Sequence, residues 1–465
     1  MTREGCRIAI IGAGFSGVMT AIHLLWRCKP GERVYLVERS GRIGPGLAYA
    51  TNHPRHLVNV RAENMSAFVD EPDHFVRWLD GLAPAQRADA GERTIAGTFV
   101  RRSVYGAYVQ GLLREAIARQ EGADNLFLVT DEAVAIRANN GRLALETGSG
   151  RRHAIDAAVL ALGNVVPDDA SLPGHVGNPW TPEATAPLEP GRPVVVLGTG
   201  LTMADVCLAL ADQGFAGPIH AISRRGLLPI GHAPSAPWPD LRLGSEDRRS
   251  LLALFRAVRR EVRRGARSGV GWRAVIDAVR PHVQTLWAEL TPADKARFLR
   301  HVRPWWDVHR HRMAPPVAAT LAALRAAGTL EVHAGRIGSI APSERGLSVR
   351  WRPRGGSAEQ EILAQRVVDC TGLVTDVAKL DDRLVRQLLA DGMARPAPLG
   401  MGLDCTTHGA VLDGKGQPSP HLFAVGPVTR GALWEIVAVP EIRQQAEQVA
   451  ANVLSLARSR FAAAA

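Results

Sequence analysis

A short apolar run, Arg7-Ile8-Ala9-Ile10-Ile11, opens directly into Gly12-Ala13-Gly14-Phe15-Ser16-Gly17 and then into a helical pattern from Val18 to Trp26. Strand, glycine-rich turn and helix in that order leave few folds open. The run lacks polar alternation, so it reads as a parallel strand buried on both faces. Gly12 suits a tight turn, Gly14 the approach of a diphosphate to the backbone, and Gly17 the packing of helix on strand. The helix N-terminus then presents free N–H groups to an anion. A second run, Arg33-Val34-Tyr35-Leu36-Val37, ends in Glu38, placed to accept hydrogen bonds from a ribose diol, with Arg39 beside it. The pattern predicts an adenine dinucleotide site.

The same arrangement recurs. Pro193-Val194-Val195-Val196-Leu197 leads into Gly198-Thr199-Gly200-Leu201-Thr202-Met203-Ala204-Asp205, with Met203 in place of the third glycine. The register is kept: 24 residues separate Gly14 from Glu38, and 24 separate Gly200 from Arg224. An acid at that place suits a free ribose hydroxyl, whereas Arg224 and Arg225 suit a 2′-phosphate. Two plainer uses of Arg224 stay open, stacking on an adenine or lying in solvent. Two sites of this kind predict a resident FAD and a visiting NADH or NADPH. Electrons then pass to the flavin, whose chemistry the protein tunes.

At 465 residues the chain predicts two or three domains. With 46% hydrophobic and 22% charged residues it reads as globular rather than disordered or membrane-embedded. No apolar window approaches the ~18 residues of a membrane span, and the opening MTREGC does not read as a signal peptide. The five cysteines, at 6, 28, 207, 370 and 405, form no CxxC. A disulfide framework, a zinc ribbon and a thioredoxin-type pair are therefore not expected, and a cytoplasmic location is.

The formal charge of +11 can serve nucleic acid, acidic lipid headgroups or a small anionic substrate, or reflect only an arginine-rich coding bias; without a recognition motif it does not predict nucleic acid. Leu251, Phe255, Val258 and Val262 read as the apolar stripe of a helix whose other face carries Arg256, Arg259, Arg260, Arg263, Arg264 and Arg267. That face is read as solvated, or as a basic funnel. His309 with His311 could ligate a metal, but no Cys or further carboxylate spacing supports a site, so none is expected.

Four stretches together resemble the two-dinucleotide flavoproteins, in particular the bacterial FAD/NAD(P)-binding family that includes an FAD-dependent urate hydroxylase. The first is the glycine loop at 12–17. The second runs through Gly44-Pro45-Gly46-Leu47-Ala48-Tyr49, His56-Leu57-Val58-Asn59-Val60, Asn64-Met65-Ser66-Ala67-Phe68 and Asp73-His74-Phe75. The third is the loop at 198–205, and the fourth is His421–Pro427 with Gly431-Ala432-Leu433-Trp434-Glu435.

The resemblance implies that Tyr49, Asn59, Met65 and Gly426 serve FAD. Pro427 stands where many flavoproteins have Asp, removing a backbone donor as well as an acid. The apolar strands at 157–163 and 367–372 look like crossings between the nucleotide domains. Leu172–Trp180 resembles, at altered spacing, the Gly-His-Trp signature of Baeyer–Villiger and N-hydroxylating enzymes, and reads better as a linker.

The expected fold is α/β, with two Rossmann-like dinucleotide-binding domains and a helical insertion. Residues 1–190 and 366–465 would form a discontinuous FAD domain, and 191–365 an NAD(P) domain with the insertion at about 234–330. The resemblance implies an NAD(P)H-consuming flavin monooxygenase that uses molecular oxygen on a small ring substrate, urate to 5-hydroxyisourate being the named candidate. No catalytic acid or base is assigned. The alternatives are a flavin oxidoreductase serving a quinone or protein acceptor, and a non-catalytic nucleotide-binding protein.

Overall fold

The computed structural model describes residues 5–83, 94–120, 124–139, 142–166 and 172–464; most of the opening segment MTREGC lies outside them. The chain forms two compact units. One comprises 1–52, 60–165 and 374–465, the other 53–59 and 166–373.

The first unit is built on a six-stranded sheet in the order Ala410–Leu412, Pro418–Ala424, Ala157–Leu160, Arg7–Ile11, Arg33–Val37, Leu126–Val129. All neighbours are parallel except the first pair. Ile8 sits between Val34 and Ala157 in register, and the inner strands are buried on both faces, as their unbroken apolar sequences require. The helices Phe15–Leu25 and Val439–Ala464 pack together. A three-stranded antiparallel sheet, 133–155, packs with the helix Arg383–Ala390 around Ile136, Leu145, Leu384 and Leu388.

The second unit has a seven-stranded sheet in the order Gln360–Ala364, Gly346–Pro353, Leu330–Ser343, Ile219–Ser223, Val194–Leu197, Arg366–Asp369, His175–Val176. Leu330–Ser343 begins parallel to Ile219–Ser223 and, past an irregularity at Ile337/Ser339, continues antiparallel to Gly346–Pro353. The two units are thus Rossmann-like copies, each with a central strand flanked by the strand after its helix and by a strand fed from an antiparallel meander. Helices from Ser245 to Ala326 stand between the strands Ile219–Ser223 and Leu330–Ser343. Among the described residues no helix is long and apolar enough to cross a membrane.

Three sequence expectations change. Arg366–Asp369, expected to open the closing part of the FAD domain, pairs with Val194–Leu197 and belongs to the second unit. His175–Val176, expected in a linker, forms an edge strand beside Val367–Val368. The helix Leu251–Arg267 buries Leu251, Ala257, Glu261 and Gly265, while Phe255 is exposed beneath the Arg259 guanidinium. On that buried face the Glu261 carboxylate pairs with Arg264 and accepts from Trp238 Nε1.

Candidate dinucleotide-binding sites

In the first unit the strand Arg7–Ile11 turns at Gly12, whose φ of +100° only glycine adopts without strain. The Gly12 N–H donates to Val37 O at 2.8 Å. A Cβ at Gly12 would stand 2.4 Å from Ala161 O, and one at Gly17 would stand 1.9 Å from Gly12 O. Gly14 caps the helix Phe15–Leu25 in an extended conformation with no side-chain cap.

The second unit repeats this geometry. Gly198 also has φ +100°, its N–H donates to Ile222 O at 2.7 Å, and its Cβ would stand 2.4 Å from Cys370 O. Gly200 caps Leu201–Asp212, again with no side-chain cap. Met203, in the place of the third glycine, is fully buried and accepts a hydrogen bond from the Cys207 thiol at 3.4 Å.

Both loops fit a dinucleotide diphosphate. The first N–H groups of each helix have no intrahelical acceptor, and the helix dipole favours an anion there. At Gly200 a Cβ would meet nothing within 4 Å, so the approach is open. At Gly14 it would stand 3.4 Å from Gly46 Cα. That contact exists because Gly44–Tyr49 folds over the first loop: the Gly44 N–H donates to Ala13 O at 2.8 Å, and Gly44 and Gly46 take φ of +108° and +53°. Tyr49 packs with Phe15 and Tyr105, and burial raises its phenol well above the ordinary range.

The remaining expected residues fall as follows. Glu38 ends its strand with Oε2 accepting from Ala13 N at 3.0 Å, and with Oε1 accepting from Ser40 N at 2.9 Å and Ser40 Oγ at 2.7 Å. A carboxylate offers about four acceptor sites, so capacity remains for a ribose hydroxyl. Arg39 is exposed, and Ser16 and Met65 are buried. Gly426, at φ +78°, meets the helix start directly: a Cβ there would stand 2.3 Å from Ser16 Oγ. Its N–H donates to Gln445 Oε1 at 2.7 Å. Asn59, by contrast, lies in the segment 53–59 of the second unit, where its carbonyl oxygen pairs with His232 Nε2 at 3.0 Å.

In the second loop Thr199 is buried, with Oγ1 2.6 Å from Leu227 O and 2.9 Å from Ser223 Oγ. Leu201 and Thr202 are half-buried at the helix start. Arg224 is exposed with no partner among the described residues, while Arg225 Nη2 donates to Arg300 O at 3.3 Å.

Sequence reading missed Gly46 as the neighbour of Gly14, and Gln445, which joins Gly426 to Thr429. The close Gly44/Gly46 spacing was a signal for the first; a glutamine in a long helix gives none for the second. His309, weighed as a ligand, has Nδ1 2.7 Å from Trp305 O and its ring against that of Trp272.

Residues 9–165 match a family model described as FAD-NAD(P)-binding. The match covers about a third of the chain. No curated protein matches the sequence. Among solved structures, the chain is similar to an ornithine N-hydroxylase of Kutzneria sp. 744 with reduced FAD, NADP+ and L-ornithine, at 14% identity, TM-score 0.62, and coverage of 97% of this chain and 99% of that one. An L-lysine 6-monooxygenase from Pseudomonas syringae is 16% identical, with TM-score 0.59 and coverage of 99% and 100%. A bacillithiol disulfide reductase from Bacillus cereus is 13% identical, with TM-score 0.51 and coverage of 97% and 99%. These likenesses establish a shared fold, which hosts both oxygen and thiol chemistry.

Proposed function

We propose that the protein is an FAD-dependent, NAD(P)H-consuming monooxygenase acting on a small molecule. The observation that carries this reading is the pair of matching glycine loops, with an acid after one and a free arginine after the other. On this reading Gly12–Gly17, Glu38, Tyr49 and Gly426 hold FAD, and Gly198–Thr202 with Arg224 hold the coenzyme. Bound FAD would supply two-electron redox chemistry and, once reduced, reactivity toward oxygen.

The chain's own residues then have defined tasks. The helix amides at Phe15 and Leu201 bind diphosphates, Glu38 accepts from a ribose, and Arg224 meets a 2′-phosphate if NADPH is the coenzyme. The cysteines argue against a thiol relay. Burial pushes Cys6, Cys28, Cys207 and Cys405 up to about 12 and Cys370 well above its usual value. All five are free, and a reactive thiol needs the opposite shift.

Urate is the first substrate to test. Its hydroxylation consumes one O2 and one NAD(P)H with a proton, giving 5-hydroxyisourate, NAD(P)+ and water. Ornithine and lysine form a second reading, favoured by the N-hydroxylating enzymes that share the fold. The test is oxygen and NAD(P)H consumption by the purified yellow protein with each compound, with product formation followed in parallel. Coupled hydroxylation of one of them supports the proposal. A protein that carries no flavin and takes none up overturns it.

A further inference from the structure

The parallel pairing of Ile219–Ser223 with Leu330–Ser343 sets His220 opposite Glu331, and His333 opposite Ile222 on the same face of the sheet. Nδ1 of His220 and Nε2 of His333 lie 3.1 Å apart. Glu331 Oε2 lies 3.6 Å from the former and 3.5 Å from the latter. A hydrogen bond between the two imidazoles accounts for the first distance only. The carboxylate oxygen is nearly equidistant from both nitrogens and beyond good hydrogen-bond reach of either.

One arrangement accounts for both distances to the carboxylate and comes close to the shorter one between the imidazoles. Zinc binds imidazole nitrogen and carboxylate oxygen at ~2.0–2.2 Å, so ligand atoms on one face of its tetrahedron stand ~3.3–3.6 Å apart. We propose that His220, Glu331 and His333 bind a zinc-class divalent cation, with water at the fourth position. Two imidazoles with one carboxylate select a borderline metal over magnesium or calcium, which prefer all-oxygen sites.

The surroundings suit such a centre. The buried Trp351 ring lies 4.9 Å from the His333 ring and walls one side. The Glu331 side chain is 52% exposed, giving an entry path for the ion. His220 and Glu331 are each the second residue of their strand, whereas the Gly198–Gly200 loop follows the last residue of Val194–Leu197. His333 pairs with Ile222 and so lies level with Leu197, while His220 lies level with Val195, so the proposed centre occupies the two strands beside the one that feeds the glycine loop. Its ion would clip together two strands whose connection runs through all the helices from Ser245 to Ala326.

The experiment uses the full protein, stripped with a chelator and freed of it, titrated calorimetrically with Zn2+ and followed in parallel by thermal unfolding. Glu331→Gln keeps the size of the side chain and leaves the imidazole pair intact; His220→Gln removes one nitrogen ligand. The expected result is one tight equivalent in the unmodified protein, weakened at least ~10-fold in each variant, with a zinc-dependent rise in Tm that both variants lose. Similar metal-free Tm values for Glu331→Gln and the parent separate lost binding from lost folding. Zinc affinity unchanged by Glu331→Gln and His220→Gln overturns the proposal, as does a parent protein that binds no zinc.

Discussion

The open space before Gly200 permits a sharp test of how the second loop works. Gly200 has φ −87°, which alanine adopts without strain, and its added Cβ would meet nothing within 4 Å. Alanine is a poorer cap than glycine by up to ~1 kcal/mol, while restricting the unfolded chain returns ~0.4–1 kcal/mol. Gly200→Ala should therefore leave stability within ~1 kcal/mol of the parent. Its methyl group would nonetheless stand where the backbone must meet a diphosphate. Losing one hydrogen bond to a charged group costs ~1.5–3 kcal/mol, or ~10–150-fold in affinity.

Gly198→Ala is the contrasting control. There φ is +100° and the Cβ would lie 2.4 Å from Cys370 O, so strain of ~1–3 kcal/mol precedes any relief of the overlap. The assay is anaerobic stopped-flow reduction of the flavin against NADPH concentration, with Tm and flavin content measured on the same samples. Gly200→Ala should keep its flavin and Tm but need far more NADPH, and Gly198→Ala should lose Tm. If Gly200→Ala is reduced with the parent's concentration dependence, the diphosphate does not approach that residue and the role given to the second loop is wrong.

Other expectations follow from single contacts. Gly426→Ala places a methyl 2.3 Å from Ser16 Oγ at φ +78°, so flavin content should fall and stability should drop by ~1–3 kcal/mol; unchanged flavin retention would dissociate Gly426 from the first loop. Arg224→Ala removes an exposed cation that has no partner among the described residues. Tm should hold while NADPH weakens ~10-fold or more and NADH little; equal losses for the two coenzymes would remove the phosphate clamp. His23 is buried, and burial lowers its imidazole to about 4 from an ordinary value of 6.5, with Arg27 adding to the shift. The unfolded chain therefore takes up a proton first, and stability should decline as pH falls from about 6.5 toward 4. Chemical denaturation across that window should show a shallower decline for His23→Leu, and an identical slope would exclude His23 as the source.

The glycine loops were legible in the sequence because their chemistry is local. Turn, cap and helix start lie within six residues, and the matched spacing to Glu38 and Arg224 follows from one strand–helix–strand length. What sequence could not reveal depends on pairing between distant strands. Arg366–Asp369 is apolar enough to serve either sheet, and only its register with Val194–Leu197 assigns it. The segment 53–59 carries no composition marking it for the second unit. His220 and His333 are 113 residues apart, and a sequence reading attentive to adjacent histidines turns to His309 and His311 instead.

The first unit's central sheet receives the strand Pro418–Ala424 directly beside Ala157–Leu160. During synthesis on the ribosome, residues 166–373 emerge before that strand does. The later-numbered unit can then acquire its own sheet early, while the opening strands wait for a partner made more than two hundred residues afterwards. Chains cut short before residue 418 should therefore expose the flank of Ala157–Leu160 and aggregate through it, and a circular permutant that starts near 374 would bring the waiting partners together from the outset.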